Sequence, residues 1–463
     1  MKRWHVARGG DGRWAVVDPD GRCQTTDQPL GVAEILSAAG RVCAICRDHR
    51  AVLALAVAMQ THALVSEGPL PTVAARGDGS GKVVVAGCAP GEGLWHVTTG
   101  LAIVSDGDAN KAPVEDPADD GPEAAAQWSR EVHNAWEAEV SDLGLDGAKL
   151  SAGTAAAVML PTSWIKASAK FAATPEWRDV RQAYAGGRIA CYQKGWQGQA
   201  TEWDIRSAYG AALAGLLGRM PDFQLYPDRR PMTAQPGWFD ATVEVSGPVG
   251  PLPYRDPARP WALEWPTSGR WRQWYTKADL ETPGVHVVEV HRSHAGRYMY
   301  GLRDRVLRLL ELREGAEPWR RAVIRQLVVS LAGKLGQRPV AWRVWCPGAG
   351  SVKQPPGSVH LGDPFGDGIT VYPVRPERYP PTIVPQVASY VTARTRRRLF
   401  DALAETWPAP IYCDTDGIHL PADHPGPGSN CGDQPGQWAE KVSGTAFYYG
   451  RRRYYVGHKR VNT

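Results

Sequence analysis

The segment Tyr412-Cys413-Asp414-Thr415-Asp416-Gly417-Ile418-His419-Leu420 constrains the fold more than any other stretch of the chain. Apolar residues flank a polar tip on both sides, and Ala409-Pro410-Ile411 leads into it. Gly417, a turn former, directly follows the second aspartate, so the pattern predicts a short hairpin: strand, Asp-Thr-Asp-Gly tip, strand. Such a tip is where ligands for a divalent metal can hang. Magnesium favours carboxylate oxygens and keeps positions for water and substrate phosphates. Alone, an Asp-x-Asp pair is more often a solvated turn, so its meaning depends on partners elsewhere.

A two-metal phosphoryl-transfer site needs carboxylates from two separated strands, which hold the cations roughly 3.5–4 Å apart. The second source is Thr201-Glu202-Trp203-Asp204-Ile205-Arg206-Ser207-Ala208-Tyr209-Gly210. Asp204 ends a predicted strand and a helix begins within a few residues, where backbone N–H groups can receive triphosphate oxygens. An ordinary helix cap is the competing reading of Asp204. Tyr209 lies five residues on, placed to pack under a nucleotide sugar. Between the two carboxylate segments, Arg321 and Arg325 are four apart and share a helix face that Val329 and Ala332 continue. Paired guanidinium groups suit a triphosphate because arginine binds phosphate bidentately; a solvated helix face is the alternative.

With 463 residues, 43% hydrophobic and 22% charged, the chain suits two to four globular domains. The net charge of +5 is unevenly spread. Residues 105–146 are acidic, while arginine concentrates at 303–325, 394–398 and 451–453, which points to a polyanionic partner. The sequence has no run of about 18 apolar residues and no apolar signal core, so a cytoplasmic protein without a membrane partner is expected. The 8 cysteines include a Cys43-x-x-Cys46 pair with no second pair at zinc spacing, and reduced thiols are expected.

Short strand-like runs occur at 4–8, 14–17, 83–86 and 101–105, with an apolar helix at 50–61. A loop at 105–122 and a helix at 123–140 follow, the helix with Trp128, Val132, Trp136 and Val140 at spacing four. Strands are predicted at 189–192 and 201–204, and loop-rich sequence at 218–236 and 246–260. A helical hairpin spans 302–337, broken at 315–318. An irregular insertion occupies 346–368, an amphipathic helix 384–405, a loop 421–435, and a strand-rich segment follows.

An aspartate-bearing strand, a cationic helix and an Asp-Thr-Asp hairpin, in that order, resemble the three polymerase motifs of family B DNA polymerases, specifically the protein-primed bacteriophage branch. D-I-R-S-A-Y-G at 204–210 resembles D-x-x-S-L-Y-P, V-S-L-A-G-K-L-G at 329–336 resembles N-S-L-Y-G-K-F-G, and Y-C-D-T-D-G at 412–417 resembles Y-x-D-T-D-S. Tyr184-Ala185-Gly186-Gly187 is similar to the template-binding Y-x-G-G element. Thr392 to Arg396 is similar to T-x-x-A-R with Thr395 for alanine, Gly436 to Glu440 to a G-x-W segment, and Arg453-Tyr454-Tyr455 to the primer-holding K-x-Y. The resemblance covers roughly residues 175–460.

It implies an α+β, multidomain fold: a right-hand polymerase palm and fingers after an N-terminal α/β domain of degenerate RNase H-like exonuclease type. The implied division is 1–165 exonuclease-like; 166–215 junction and first palm segment; 216–300 palm strands and first insertion; 301–337 fingers; 338–380 second insertion; and 381–463 palm with hairpin and primer grip. It implies Asp204, Asp414 and Asp416 as catalytic ligands of two magnesium ions, with manganese as an alternative. Ser207, Tyr209, Arg321 and Arg325 would bind nucleotide, Tyr209 also excluding a ribose 2′-hydroxyl. Tyr184, Gly186, Gly187, Lys334, Thr392, Arg396, Arg453 and Tyr455 would bind DNA. The partners would be primer–template DNA, dNTPs and a priming or accessory replication protein, in a phage, plasmid or other mobile element.

The chain departs from the family in several places. No D-x-E occurs in the first hundred residues, so proofreading is not expected. Val329 and Ala332 replace the asparagine and tyrosine of the second motif, Arg325 stands for its triphosphate-binding lysine, and Gly417 replaces the serine of the third. The chain ends soon after Tyr455, from which a reduced thumb and weak, distributive DNA binding are expected. The activity implied is DNA-directed DNA polymerisation. A non-catalytic nucleic-acid-binding relative and a protein or untemplated nucleotidyltransferase are the alternatives.

Overall fold

The computed structural model describes residues 2–8, 12–28, 31–32, 35–36, 42–46, 72–76, 83–86, 94–99, 121–145, 152–171, 174–217, 223–227, 237–258, 263–298, 301–337, 340–347, 359–361, 369–378, 382–428, 430–457 and 459–462. They fall into two units. One comprises 1–158, 315–327 and 338–380; the other comprises 159–314, 328–337 and 381–463.

The first unit is built on a ten-stranded sheet in the order Val359–Leu361, Ile369–Arg378, Val340–Pro347, Thr72–Arg76, Val83–Ala86, Leu94–Thr99, Val42–Cys46, Lys2–Arg8, Trp14–Val17, Cys23–Thr26. Val42–Cys46 runs parallel to both its neighbours, and the other pairings are antiparallel. The Pro122–Asp142 helix starts on a proline, whose missing N–H costs nothing in the first turn. Its Ala125 and Ala126 pack on Ala7, Ala15 and Val17. The predicted stripe of Trp128, Val132, Trp136 and Val140 is buried with Trp319, Val323 and Leu327.

Of the stretch 346–368, expected to be an irregular insertion, only 346–347 and 359–361 are among the described residues, and Val359–Leu361 is a strand paired with Ile369–Arg378. The Val340–Pro347 strand just before it extends the N-terminal sheet, with Trp342 opposite Arg76 and Trp345 opposite Val73. The predicted helix at 50–61, strand at 101–105 and most of the 105–122 loop lie outside the described residues.

The second unit holds two antiparallel sheets. The smaller has the order Phe223–Pro227, Val285–Tyr298, Gly237–Ser246, Ser268–Thr276, so part of the expected loop at 218–236 is strand. The larger has seven strands in the order Lys459–Asn462, Arg453–Val456, Trp438–Gly450, Gln197–Ile205, Gly417–Pro421, Tyr412–Asp414, Ile189–Cys191. The Pro385–Thr406 helix packs Leu399, Phe400, Ala402 and Leu403 against Ile205, Cys413, Ile418, Leu420 and Trp438 of this sheet. Its Tyr390 and Ala393 pack with Trp238 and Trp274 of the smaller one.

This central position corrects the expected amphipathicity. Residues Pro385 to Ala393 are consecutively buried. Ser389 and Tyr390 are satisfied internally: Ser389 Oγ accepts from Trp238 Nε1 at 2.9 Å, and the Tyr390 hydroxyl donates to the Gly237 carbonyl at 2.9 Å. Thr392, Thr395 and Thr406 bond back to carbonyls four residues earlier.

Candidate active site

The hairpin forms as its sequence predicts, with Tyr412 opposite His419, Cys413 opposite Ile418 and Asp414 opposite Gly417. Its tip is tighter than a glycine-led turn. The Asp416 N–H donates to the Asp414 carbonyl at 2.7 Å across Thr415, which has φ 61°. This is a three-residue γ-turn centred on a β-branched residue in the left-handed region, a strained arrangement that its surroundings must enforce. Three contacts do so. The Thr415 N–H donates to the Arg188 carbonyl at 2.6 Å, the Thr415 hydroxyl donates to Asp414 Oδ1 at 2.9 Å, and the Asp416 carbonyl accepts from the Ile205 N–H at 2.9 Å.

Two glycines are explained by close approach to this tip. A Cβ on Gly187 would lie 2.6–2.9 Å from atoms of Thr415. A Cβ on Gly417 would lie 2.4 Å from Asp204 Oδ1. Gly417 is therefore glycine for space, not for the turn.

Register carries the site across the sheet. Ala439, Asp204, Gly417, Asp414 and Ile189 form one row, and Val442, Glu202, His419, Tyr412 and Cys191 form the next row on the same face. The opposite face carries Ile205, Ile418 and Cys413 into the core. Asp204 and Asp414 are two strands apart, roughly 10 Å between backbones, with Asp416 at the adjoining tip. Beneath them lie Tyr412, His419, Tyr448 and Tyr454. The Tyr412 and Tyr454 rings are 4.7 Å apart, the Tyr412 hydroxyl donates to Asp414 Oδ2 at 3.3 Å, and His419 Nδ1 pairs with the Tyr448 hydroxyl at 2.8 Å.

Electrostatically the face is overloaded with negative charge. Burial, and next the carboxylate of Asp204, push Asp416 up to about 7; Asp414 adds to this, and Lys441 partly offsets it. Lys441 donates to Asp204 and lies 3.0 Å from Glu202 Oε1. Burial works against its charge, but the two carboxylates reverse that and raise its pKa above the usual lysine range. Burial, and then the charge of Asp416, also raise the Tyr209 hydroxyl.

The remaining predicted residues divide. Ser207 caps only a six-residue helix, Ala208–Leu213, at φ 49°, and its hydroxyl accepts from Arg313. Tyr184 packs on Gly336, where a Cβ would fall 2.6–2.7 Å from its ring. Lys334 donates to Gln337 Oε1 at 3.3 Å. Arg321 and Arg325 are exposed on one face of the Pro318–Leu335 helix, in the first unit.

Arg396 and Thr392 are turned inward, where the sequence suggested DNA contacts. Arg396 is 5% exposed, donates to Asp279 at 2.6 Å and reaches the Ala185 and Gly186 carbonyls. It braces the Tyr184–Gly187 loop. Arg453 is exposed and Tyr455 half-buried, but alternation puts both on the sheet face opposite Asp414; Tyr454 is the tyrosine under the carboxylates.

Sequence reasoning missed Glu202, Lys441 and Tyr454. Glu202 had a signal, since it stands two residues before Asp204 and so shares its face. Lys441 had none, because it is the extra residue of a bulge: Glu440 pairs with Trp203 and Val442 with Glu202.

Among the described residues no group of three His, Cys, Asp or Glu side chains is gathered tightly enough to hold a metal ion. The donor chemistry nevertheless fits a hard cation, since carboxylate oxygens crowd one face and an ammonium already sits among them.

No protein-family model and no curated protein sequence matches the chain. Solved structures do. Phi29 DNA polymerase in its orthorhombic crystal form is similar at TM-score 0.68 and 16% identity, over 100% of this chain and 90% of that one. The same polymerase with primer–template DNA and incoming nucleotide substrates is similar at 0.64 and 16%, over 100% and 89%. The complex with primer–template DNA alone gives 0.66 and 15%, over 100% and 90%. The chain thus has the multidomain, mixed helix-and-sheet fold of Phi29 DNA polymerase, in keeping with the resemblance read from its motifs. Among the described residues, no helix is long and apolar enough to cross a membrane.

Proposed function

We propose that the chain is a DNA-directed DNA polymerase that adds dNTPs to a primer 3′-hydroxyl. The observation that carries this reading is the single row of Asp204, Gly417 and Asp414, with Asp416 at the strained tip beside it. Asp204, Asp414 and Asp416 would hold two magnesium ions, or manganese in their place. When bound, the ions supply Lewis acidity that eases deprotonation of the primer hydroxyl and stabilises the pyrophosphate leaving group. The protein's own part is positional. The Gln197–Ile205 strand and the γ-turn present carboxylate oxygens on one face, Arg188 and Gly187 keep the turn in place, and the Tyr412 hydroxyl orients Asp414.

Tyr209, half-buried near the carboxylates, is the candidate for excluding a ribose 2′-hydroxyl, and Ser207 shapes the turn beside it. Arg321 and Arg325 are the candidate triphosphate clamp. Tyr184, Gly186, Lys334, Arg453 and Tyr455 are candidate DNA contacts, mostly through phosphates, so binding should weaken steeply with salt. Gly187, Thr392 and Arg396 would act on DNA indirectly, through the loop they shape. The N-terminal domain would be of exonuclease type, and the absence of a D-x-E in the first hundred residues is the reason to read it as lacking proofreading. A priming protein remains the candidate partner.

A primer-extension gel with templated primer, single strand and a candidate priming protein tests the proposal. Template-dependent extension with magnesium or manganese is expected. Label transfer to the protein alone, or untemplated tailing, would replace the reading with that of another nucleotidyltransferase. The contact of Lys441 with Asp204 favours one second reading, a non-catalytic DNA-binding relative. It predicts primer–template binding with no incorporation under any divalent ion.

A further inference from the structure

Lys441 is where this face departs most from a plain cluster of metal ligands. The Trp438–Gly450 strand pairs in regular antiparallel register with the Gln197–Ile205 strand except at one point, where Lys441 is inserted between Glu440 and Val442. A bulge of this kind bends a strand and re-aims one side chain. Here it turns an ammonium onto Glu202 and Asp204, which alternation has placed two residues apart on one face.

The three groups differ in access to solvent. The Glu202 side chain is 3% exposed, that of Asp204 28%, and that of Lys441 46%. Glu202 is therefore the fixed end of the contact. Asp204 is the end a hydrated ion can reach, and Lys441 has room to move. An ammonium and a divalent ion compete for the same carboxylate oxygens, so one must leave before the other is fully coordinated.

We propose that Lys441 is a tethered counter-cation. It holds Asp204 in the metal-free protein, withdraws onto Glu202 when a divalent ion binds, and so sets the divalent affinity of the site. This rests on the metal-site reading above. Lys441 is a positioning residue in this scheme: it touches neither primer nor nucleotide, and acts through Asp204. Glu202 is its anchor, and the bulge is the device that aims it.

The test is a Mn2+ titration followed by electron paramagnetic resonance on the full chain. It compares wild type, Lys441→Met, the double variant Glu202→Gln/Lys441→Met and Asp416→Asn. Lys441→Met keeps the aliphatic stem and removes the charge. Removing one nearby, half-exposed charge should tighten Mn2+ binding about tenfold. The double variant restores the wild-type net charge without restoring the competitor, so it should also bind several-fold tighter. It decides the question by itself if the single variant does not fold.

Equal Mn2+ affinity in the double variant and wild type would overturn the proposal, while Mn2+ binding abolished by Asp416→Asn would leave the metal site standing. If neither wild type nor the Lys441 variants show binding that depends on Asp416, the metal-site reading fails and the latch falls with it.

Discussion

Two ionic clusters in the second unit sit on neighbouring elements and are built on opposite principles. In the first, Asp279 and Arg396 pair one to one, each side chain only 4% exposed. The other Asp279 oxygen accepts from the Thr276 N–H at 3.2 Å and hydroxyl at 2.8 Å, and Arg396 reaches the Ala185 carbonyl. In the second, Lys441 faces both Glu202 and Asp204, with Asp414 and Asp416 close by. The first is matched in charge, and its carboxylate is capped by helix geometry. The second carries surplus negative charge, visible as an Asp416 carboxyl pushed up to about 7 by burial and its neighbours. A buried pair that serves architecture has its charges balanced within the protein. A cluster of the kind proposed for metal binding does not, and such an imbalance destabilises a metal-free fold.

The sharpest way to break the comparison is to remove a charge from each cluster. Asp416→Ala should lower templated extension by about 10³–10⁵-fold, or ~4–7 kcal/mol of barrier, without lowering the melting temperature of the metal-free protein. Extension assays and thermal melts on one preparation check both halves. Asp279→Ala should do the reverse in kind. It strands a buried guanidinium and should cost about 3–5 kcal/mol of stability in denaturant titration. A loss below 1 kcal/mol would mean the pair is not the brace described above.

The third prediction concerns pH. Asp416 has a folded pKa raised to about 7 from its ordinary value of 3.8, so the folded state binds the extra proton between those values. Stability from this group is fully present below about 4 and is lost as pH rises through about 7. The metal-free protein should lose on the order of 4 kcal/mol over that window. Asp416→Asn should flatten the slope, and added Mn2+ should restore stability above pH 7. Urea titrations at several pH values decide it. The smallest effect expected is from Gly417→Ala. Its Cβ would displace the Asp204 carboxylate, for a loss of ~1–2 kcal/mol in Mn2+ affinity with little change in melting temperature.

Much of the site was legible because strand periodicity is local. The alternation of Thr201 to Ile205 and of Tyr412 to Leu420 fixes which side chains share a face, and the aspartates are fixed with it. The same alternation puts Glu202 on the face of Asp204, although no family motif marks it. The K-x-Y resemblance points to Tyr455 rather than Tyr454, and only pairing with Phe447 shows that Tyr455 faces the other way. Arg396 illustrates a different failure. An arginine in a basic run on a helix looks like a phosphate contact until Asp279, more than a hundred residues away, is found beside it. The place of the Val340–Pro347 strand was not legible, because its backbone pairing with Thr72–Arg76 joins segments far apart in the chain and leaves no mark on composition.

By itself the sequence determined the hairpin, the order of its partner segments, the helix at 122–142 and the acidic chemistry of one sheet face, since each follows from spacings of two or four residues along the chain. Only the tertiary structure decided which charges meet. It put strain on Thr415 rather than on Gly417, turned Arg396 inward, and through one inserted residue aimed Lys441 at Asp204. Those outcomes depend on register between strands far apart in sequence, and register is set by the packing of the whole sheet.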